Sequence, residues 1–150
     1  MSKANRLLVF ALALVCAGCE SLPESDGTDA YAYVARDVDG TPVVSGTLRL
    51  VFADGDGART AEGVSGTWAF EAAQTGLDEQ EIGPQLGMGS LEGGIGSDGE
   101  IWINLNPGLA DNNVFLSGRF TENARGELSG TWSYSTFVGS VAGGTFAAER

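Results

Sequence analysis

Histidine is absent from this chain, lysine occurs once, at Lys3, and both cysteines, Cys16 and Cys19, fall near the start. Histidine triads, histidine-ligated metals and imidazole acid–base chemistry are therefore excluded. Beyond Cys19 there is neither thiol nor lysine, which removes cysteine nucleophiles and Schiff bases as well. An enzyme built from what remains would need a carboxylate pair, an unusually activated Ser or Tyr, or a carboxylate-bound metal. Positive charge is scarce too. After Cys19, six arginines face all 20 of the carboxylates, a net charge of −14. Such a surface repels nucleic acid and anionic headgroups, so neither is an expected partner.

Long hydrophobic runs are also few. The clearest is Leu7 to Val15, "LLVFALALV", preceded by a basic start with Lys3 and Arg6. It is too short to span a bilayer as a mature helix and has the plan of a secretory signal peptide. "CAGC", Cys16 to Cys19, follows and resembles a bacterial lipobox, with small Ala17 and Gly18 before the acceptor and Cys16 where leucine is usual. The resemblance implies that residues 1–18 leave as a lipoprotein signal peptide and that Cys19 becomes a lipid-modified N-terminus. The mature chain would then lack a free thiol and be held on a membrane by several acyl chains. It further implies a cell-envelope location. The outer membrane is favoured, because Glu20 is not the aspartate that marks inner-membrane retention. The next segment, "ESLPESDGTD", completes an acidic tether over 19–29, whose ten flexible residues have a reach of about 17 Å.

Residues 30–150 read as one all-β domain, because period-two alternation dominates them. Val44, Gly46, Leu48, Leu50 and Phe52 share one face, with Ser45, Thr47 and Arg49 on the other. "VSGTWAFEA" repeats this with Val64, Gly66, Trp68 and Phe70, and "ELSGTWSYST" with Leu128, Gly130, Trp132 and Tyr134. Val114, Leu116, Gly118 and Phe120 form another such face, Ile101, Ile103 and Leu105 a shorter one, and Gly144, Phe146 and Ala148 close the series. A glycine on the apolar side of a strand weakens it, so its recurrence points to a geometric need, the tight coiling of a sheet around its own apolar face. Turn signals such as "DVDGTP", "GSDGE", "NPG" and "GSVAGG" separate the runs. The expected fold is a small antiparallel up-and-down meander barrel of about eight strands. A membrane-spanning barrel with the apolar face outward is disfavoured by short strands and by an end in "FAAER".

Two calcium-loop lookalikes read as turns. "DGDGARTAE" has Arg59 where the sharp-turn glycine belongs, and "GGIGSDGEI" is a single copy of a repeat that must stack. No metal or cofactor is expected. Ala73 to Gly89 is long for a hairpin loop and carries Asp78, Glu79 and Glu81 beside the buried-looking Leu77, Ile82, Leu86 and Met88. It reads equally as a lid over one barrel mouth, with one helical turn, or as a surface loop. Arg49 and Arg119 are expected to be solvated and paired with carboxylates. Trp102 points outward if Ile101 and Ile103 point in.

The "SGTW" strands and glycine-rich meander resemble small calycin-type barrels, the lipocalin and avidin kind. No binding motif of those families matches position by position, so no site is carried over.

Three functions stay open. The first is a non-enzymatic, lipid-anchored envelope barrel holding a small apolar or amphipathic ligand inside, against Trp68, Phe70, Trp132 and Tyr134. The second is a structural or protein-binding, inhibitor-like module with a filled core, contacting its partner near Trp102 or the Ala73 to Gly89 loop. The third, ranked last, is a carboxylate enzyme using two of Asp78, Glu79 and Glu81. The lipidation reading has a direct check. A clickable palmitate analogue fed to an expressing bacterium should label the wild-type chain and fail to label Cys19→Ser, with Cys16→Ser still labelled. Equal labelling of Cys19→Ser would remove Cys19 as the acceptor.

Overall fold

A computed structural model of the chain describes residues 28–53, 62–121 and 126–150. The signal peptide, the lipobox, the tether up to residue 27, most of the "ADGDGART" turn with its calcium lookalike and most of the "ENARG" turn lie outside the described residues. The expected barrel is present. Eight strands, β1 (Thr28–Arg36), β2 (Pro42–Phe52), β3 (Glu62–Ala72), β4 (Gly87–Ile95), β5 (Glu100–Asn104), β6 (Asn112–Thr121), β7 (Glu127–Thr136) and β8 (Gly139–Glu149), pair in chain order and close. Every pairing is antiparallel, and β8 returns to β1 from Ala32 opposite Glu149 to Arg36 opposite Thr145. A single helical turn, α1 (Glu79–Ile82), lies between β3 and β4. The strand begins two residues earlier than the tether reading allowed. Thr28 and Asp29 already pair with β2, and Asp29 holds Arg150 at 2.7 Å.

Because neighbouring strands alternate in direction, the barrel has two distinct ends. β1 enters at the lower end, where β8 also finishes. The connections after β1, β3, β5 and β7 gather at the upper end.

The inward faces are those that the alternation marks. Leu48, Leu50, Val114, Leu128 and Ala148 are fully buried, as are the inward-facing Tyr31 and Tyr33 of β1. Tyr33 stacks on Phe70 with ring centroids 4.3 Å apart and lies 5.8 Å from Phe146. Lower down, Phe120 meets Phe52 at 5.9 Å and Tyr31 at 6.2 Å. Aromatic pairs at such separations add to the transfer free energy of burial.

The inward glycines occupy places where strand backbones come too close for a side chain. Gly118 and Gly130 face each other across β6 and β7. A Cβ on Gly130 would sit inside the Ser117 carbonyl oxygen and 2.5 Å from the Gly118 Cα, and one on Gly118 would overlap the Ser129 carbonyl. Backbone cannot move aside as a flexible side chain can, so Gly130→Ala forces the sheet open locally. Gly130→Ala should destabilise the fold by about 1–3 kcal/mol. Gly108→Ala, whose Cβ would meet nothing within 4 Å, should stay within about 0.5 kcal/mol of wild type. Urea unfolding of both variants provides the comparison, and equal midpoints would refute the close-approach account.

Candidate functional site

Three places in the barrel carry side chains that the fold alone does not demand: its interior, its upper mouth and the outer face of β2–β3–β4.

The interior holds the four residues singled out as ligand contacts. Trp68, Phe70, Trp132 and Tyr134 all point inward and are buried. Their polar atoms and ring faces are engaged by protein. Trp68 lies opposite Gly89, and its indole Nε1 donates to the Leu105 carbonyl at 2.8 Å. Trp132 lies opposite Gly144, and its Nε1 donates to the Arg36 carbonyl at 2.8 Å. These two arrangements are counterparts. In each, the indole of an "SGTW" strand is paired in register with a glycine of the following strand and reaches the end of the strand after that. Phe70 is sandwiched against Tyr33 and lies 5.2 Å from Trp68. The structure thus brings Trp68 and Phe70 into contact, while Trp132 anchors the seam between β8 and β1.

Tyr33, at the centre, was not among the sequence candidates. Its hydroxyl is buried and has no hydrogen-bond partner among the described residues. Burial raises its phenol well above the ordinary tyrosine value, because a phenolate there would lose its hydration with nothing in exchange. The signal in sequence was only an alternating run, which does not say which ring lies at the axis.

The upper mouth is covered by the β3–β4 connection. Asp78 caps α1 by accepting from the backbone N–H groups of Gln80 at 2.8 Å and Glu81 at 3.3 Å, while Glu81 accepts from the Asp78 N–H at 3.4 Å. This reciprocal box sets the turn, and Ile82 is buried. Gly83, with φ of +76°, lies so close to Tyr134 and Val114 that a Cβ would overlap both side chains. Asn106 Nδ2 donates to the Pro84 carbonyl at 2.7 Å, and Gln85 is fully buried. The one helical turn expected here is present, and it is seated firmly on the barrel. Asp78, Glu79 and Glu81 all face solvent, two of them engaged in capping. Met88, read as buried-looking, belongs to β4 and is 83% exposed, because strand alternation turns it outward between Gly87 and Gly89.

On the outside, Trp102 is half exposed, as its alternation with Ile101 and Ile103 implies. Arg119 is paired, with Asp98 at 3.0 Å and Glu100 at 3.6 Å. The Glu100 backbone N–H and then Arg119 hold the Asp98 carboxyl below its ordinary value. Arg49 departs from expectation. It makes no ion pair and no side-chain hydrogen bond with any described residue, because its cross-strand neighbours are Ala30 and Thr67. Beside it, Thr47, Thr67, Ala69, Met88 and Gly89 line an open depression of about 430 Å³ on the sheet's outer face. Among the described residues, no group of three acidic or thiol side chains converges as a metal site would require.

No protein-family model, no curated protein and no solved structure matches the chain.

The orphan hydroxyl yields a pH prediction. With its folded-state value raised, Tyr33 supports the fold fully below the unfolded tyrosine value of about 10, and that support declines as pH rises beyond it. Tyr33→Phe should flatten the alkaline loss of stability and leave stability at pH 7 equal or higher by about 1 kcal/mol. Chemical denaturation at pH 7 and above pH 10 measures both. A loss above about 1 kcal/mol at neutral pH would show that the hydroxyl has a bonding partner.

Proposed function

We propose that this chain is a lipid-anchored cell-envelope protein whose barrel is a non-enzymatic structural or protein-binding module, meeting its partners through its outer surface. The observation that carries this reading is the state of the interior. Tyr33, Phe70 and Phe146 occupy one another's contact surface, and both inward indoles donate to backbone carbonyls. An internal ligand would have to displace these rings and leave the buried Leu105 carbonyl without its donor, a penalty of about 1–3 kcal/mol.

The outer surface supports the same reading. Val38 and the β7–β8 turn residues Phe137 and Val138 are 85%, 83% and 74% exposed. Gly139, with φ of +110°, supplies the left-handed residue this turn needs, and Phe137 and Val138 stand at its tip as an exposed apolar pair suited to contact with a partner. These tips lie at the upper end, opposite the end at which β1 begins. Asp37 and Asp39 flank Val38, which fits a partner surface with an apolar recess and a basic rim.

Native mass spectrometry of the full chain, released from phosphatidylcholine nanodiscs, tests the filled interior. The expected mass is that of the lipidated polypeptide alone. In a Trp102→Phe background, the remaining tryptophans should emit blue-shifted and resist acrylamide. A co-purified small molecule that disappears in Trp132→Ala but persists in Arg49→Gln would place a ligand inside and overturn the reading.

A further inference from the structure

The depression on the outer face of β2–β3–β4 combines two features that elsewhere on this barrel occur apart. Its floor is low because three neighbouring outward positions, Thr47, Thr67 and Ala69, carry short side chains: Thr47 and Ala69 are directly paired, and Thr67 pairs with Arg49 in the next row. At Gly89 the Trp68 indole lies directly against the backbone, 2.8 Å from where a Cβ would be. The walls are Arg49 on β2 and Met88 on β4, two strands and so about 10 Å apart. Met88 is an adaptable apolar side chain held almost wholly in solvent.

Arg49 is the second feature. The other described arginines are engaged: Arg119 with Asp98, Arg150 with Asp29, and Arg36 with the Gly40 carbonyl at 3.2 Å. In a chain where carboxylates outnumber cations this heavily, a guanidinium kept clear of them is an exception, and here the cross-strand register enforces it. A free guanidinium beside an apolar floor of ligand-sized volume matches a molecule with an oxyanion at one end and hydrocarbon along its length.

We propose that this depression binds a soluble amphipathic anion of the acyl-carboxylate class. Its carboxylate pairs with Arg49, and its hydrocarbon lies over Ala69 and Gly89 against Met88. The proposal rests on the reading that the barrel acts from its outside. A free molecule is favoured over an anionic bilayer headgroup because the strongly negative body repels a charged membrane surface but only weakly opposes a single charge.

The probe is 8-bromooctanoate, whose bromine quenches a nearby tryptophan, titrated into the full chain held in phosphatidylcholine nanodiscs. Quenching should saturate, and 8-bromooctanol, which lacks the charge, should not saturate over the same range. Arg49→Gln should weaken the apparent affinity about tenfold, Arg49→Lys should restore part of it, and Thr131→Gln on the far side of the barrel should change nothing. Met88→Ser provides an independent variant, with circular dichroism confirming the fold of each, and should also weaken binding. Nanodiscs containing phosphatidylglycerol should give the same curve, and competition from them would reassign the site to a bilayer headgroup and overturn the proposal. Absence of saturation, or equal affinity in Arg49→Gln and wild type, overturns the site alone. Saturable quenching that survives Arg49→Gln and falls mainly on Trp132 would place the ligand inside and overturn both this proposal and the outside-acting reading.

Discussion

Eight strands can close around a core this crowded only where some of them surrender a side chain. At Gly118 and Gly130, and again where Gly144 meets the Arg36 carbonyl, backbone takes the space that a Cβ would fill. The same surrender makes room for the largest side chains. Trp68 fits because Gly89 faces it, and Gly144, the register partner of Trp132, admits the Arg36 carbonyl to which that indole donates. Each indole then bridges to the next strand but one through its N–H. The glycine–tryptophan pairing thus links sheet curvature, core filling and the seams beside β4 and β8, and loss of any one member would be felt in all three.

That arrangement leaves little for the interior to do. The rings fill the axis, and the β3–β4 connection, seated by its capping box and by Asn106, covers the upper mouth. Variation in this molecule is concentrated on its outside, in the apolar tips, the exposed Trp102, and the depression beside Arg49. A barrel with irregular features on its outside is consistent with the proposed recognition through its surface.

The alternation of Val44 to Phe52, Val64 to Phe70 and Leu128 to Tyr134 was enough to read the meander and its inward face, because side-chain direction in a strand follows from position alone. The inward glycines were enough to read closure. The site was far less legible. Met88 looked buried because it is apolar and sits in a glycine-rich loop, yet β4 begins at Gly87 and parity turns it outward. Arg49 looked like one more paired surface charge, whereas pairing is decided by which residues the register sets opposite it. Tyr33 gave no sign of its orphan hydroxyl, since nothing in a local pattern states what lies across the barrel.

The sequence by itself therefore determined what depends on neighbours along the chain: an all-β domain, its order of strands, its inward faces, and the exclusion of histidine, thiol and lysine chemistry from residues 20–150. Tertiary structure alone decided what depends on neighbours across strands. It placed Tyr33 on Phe70, seated Gly83 at the end of α1 on Tyr134, tied two indoles to distant carbonyls and left Arg49 without a carboxylate among the described residues. The reason is physical. Side-chain direction is a local property of the backbone, but burial, hydrogen bonding and charge pairing are set by register and closure, which bring together residues far apart in the chain.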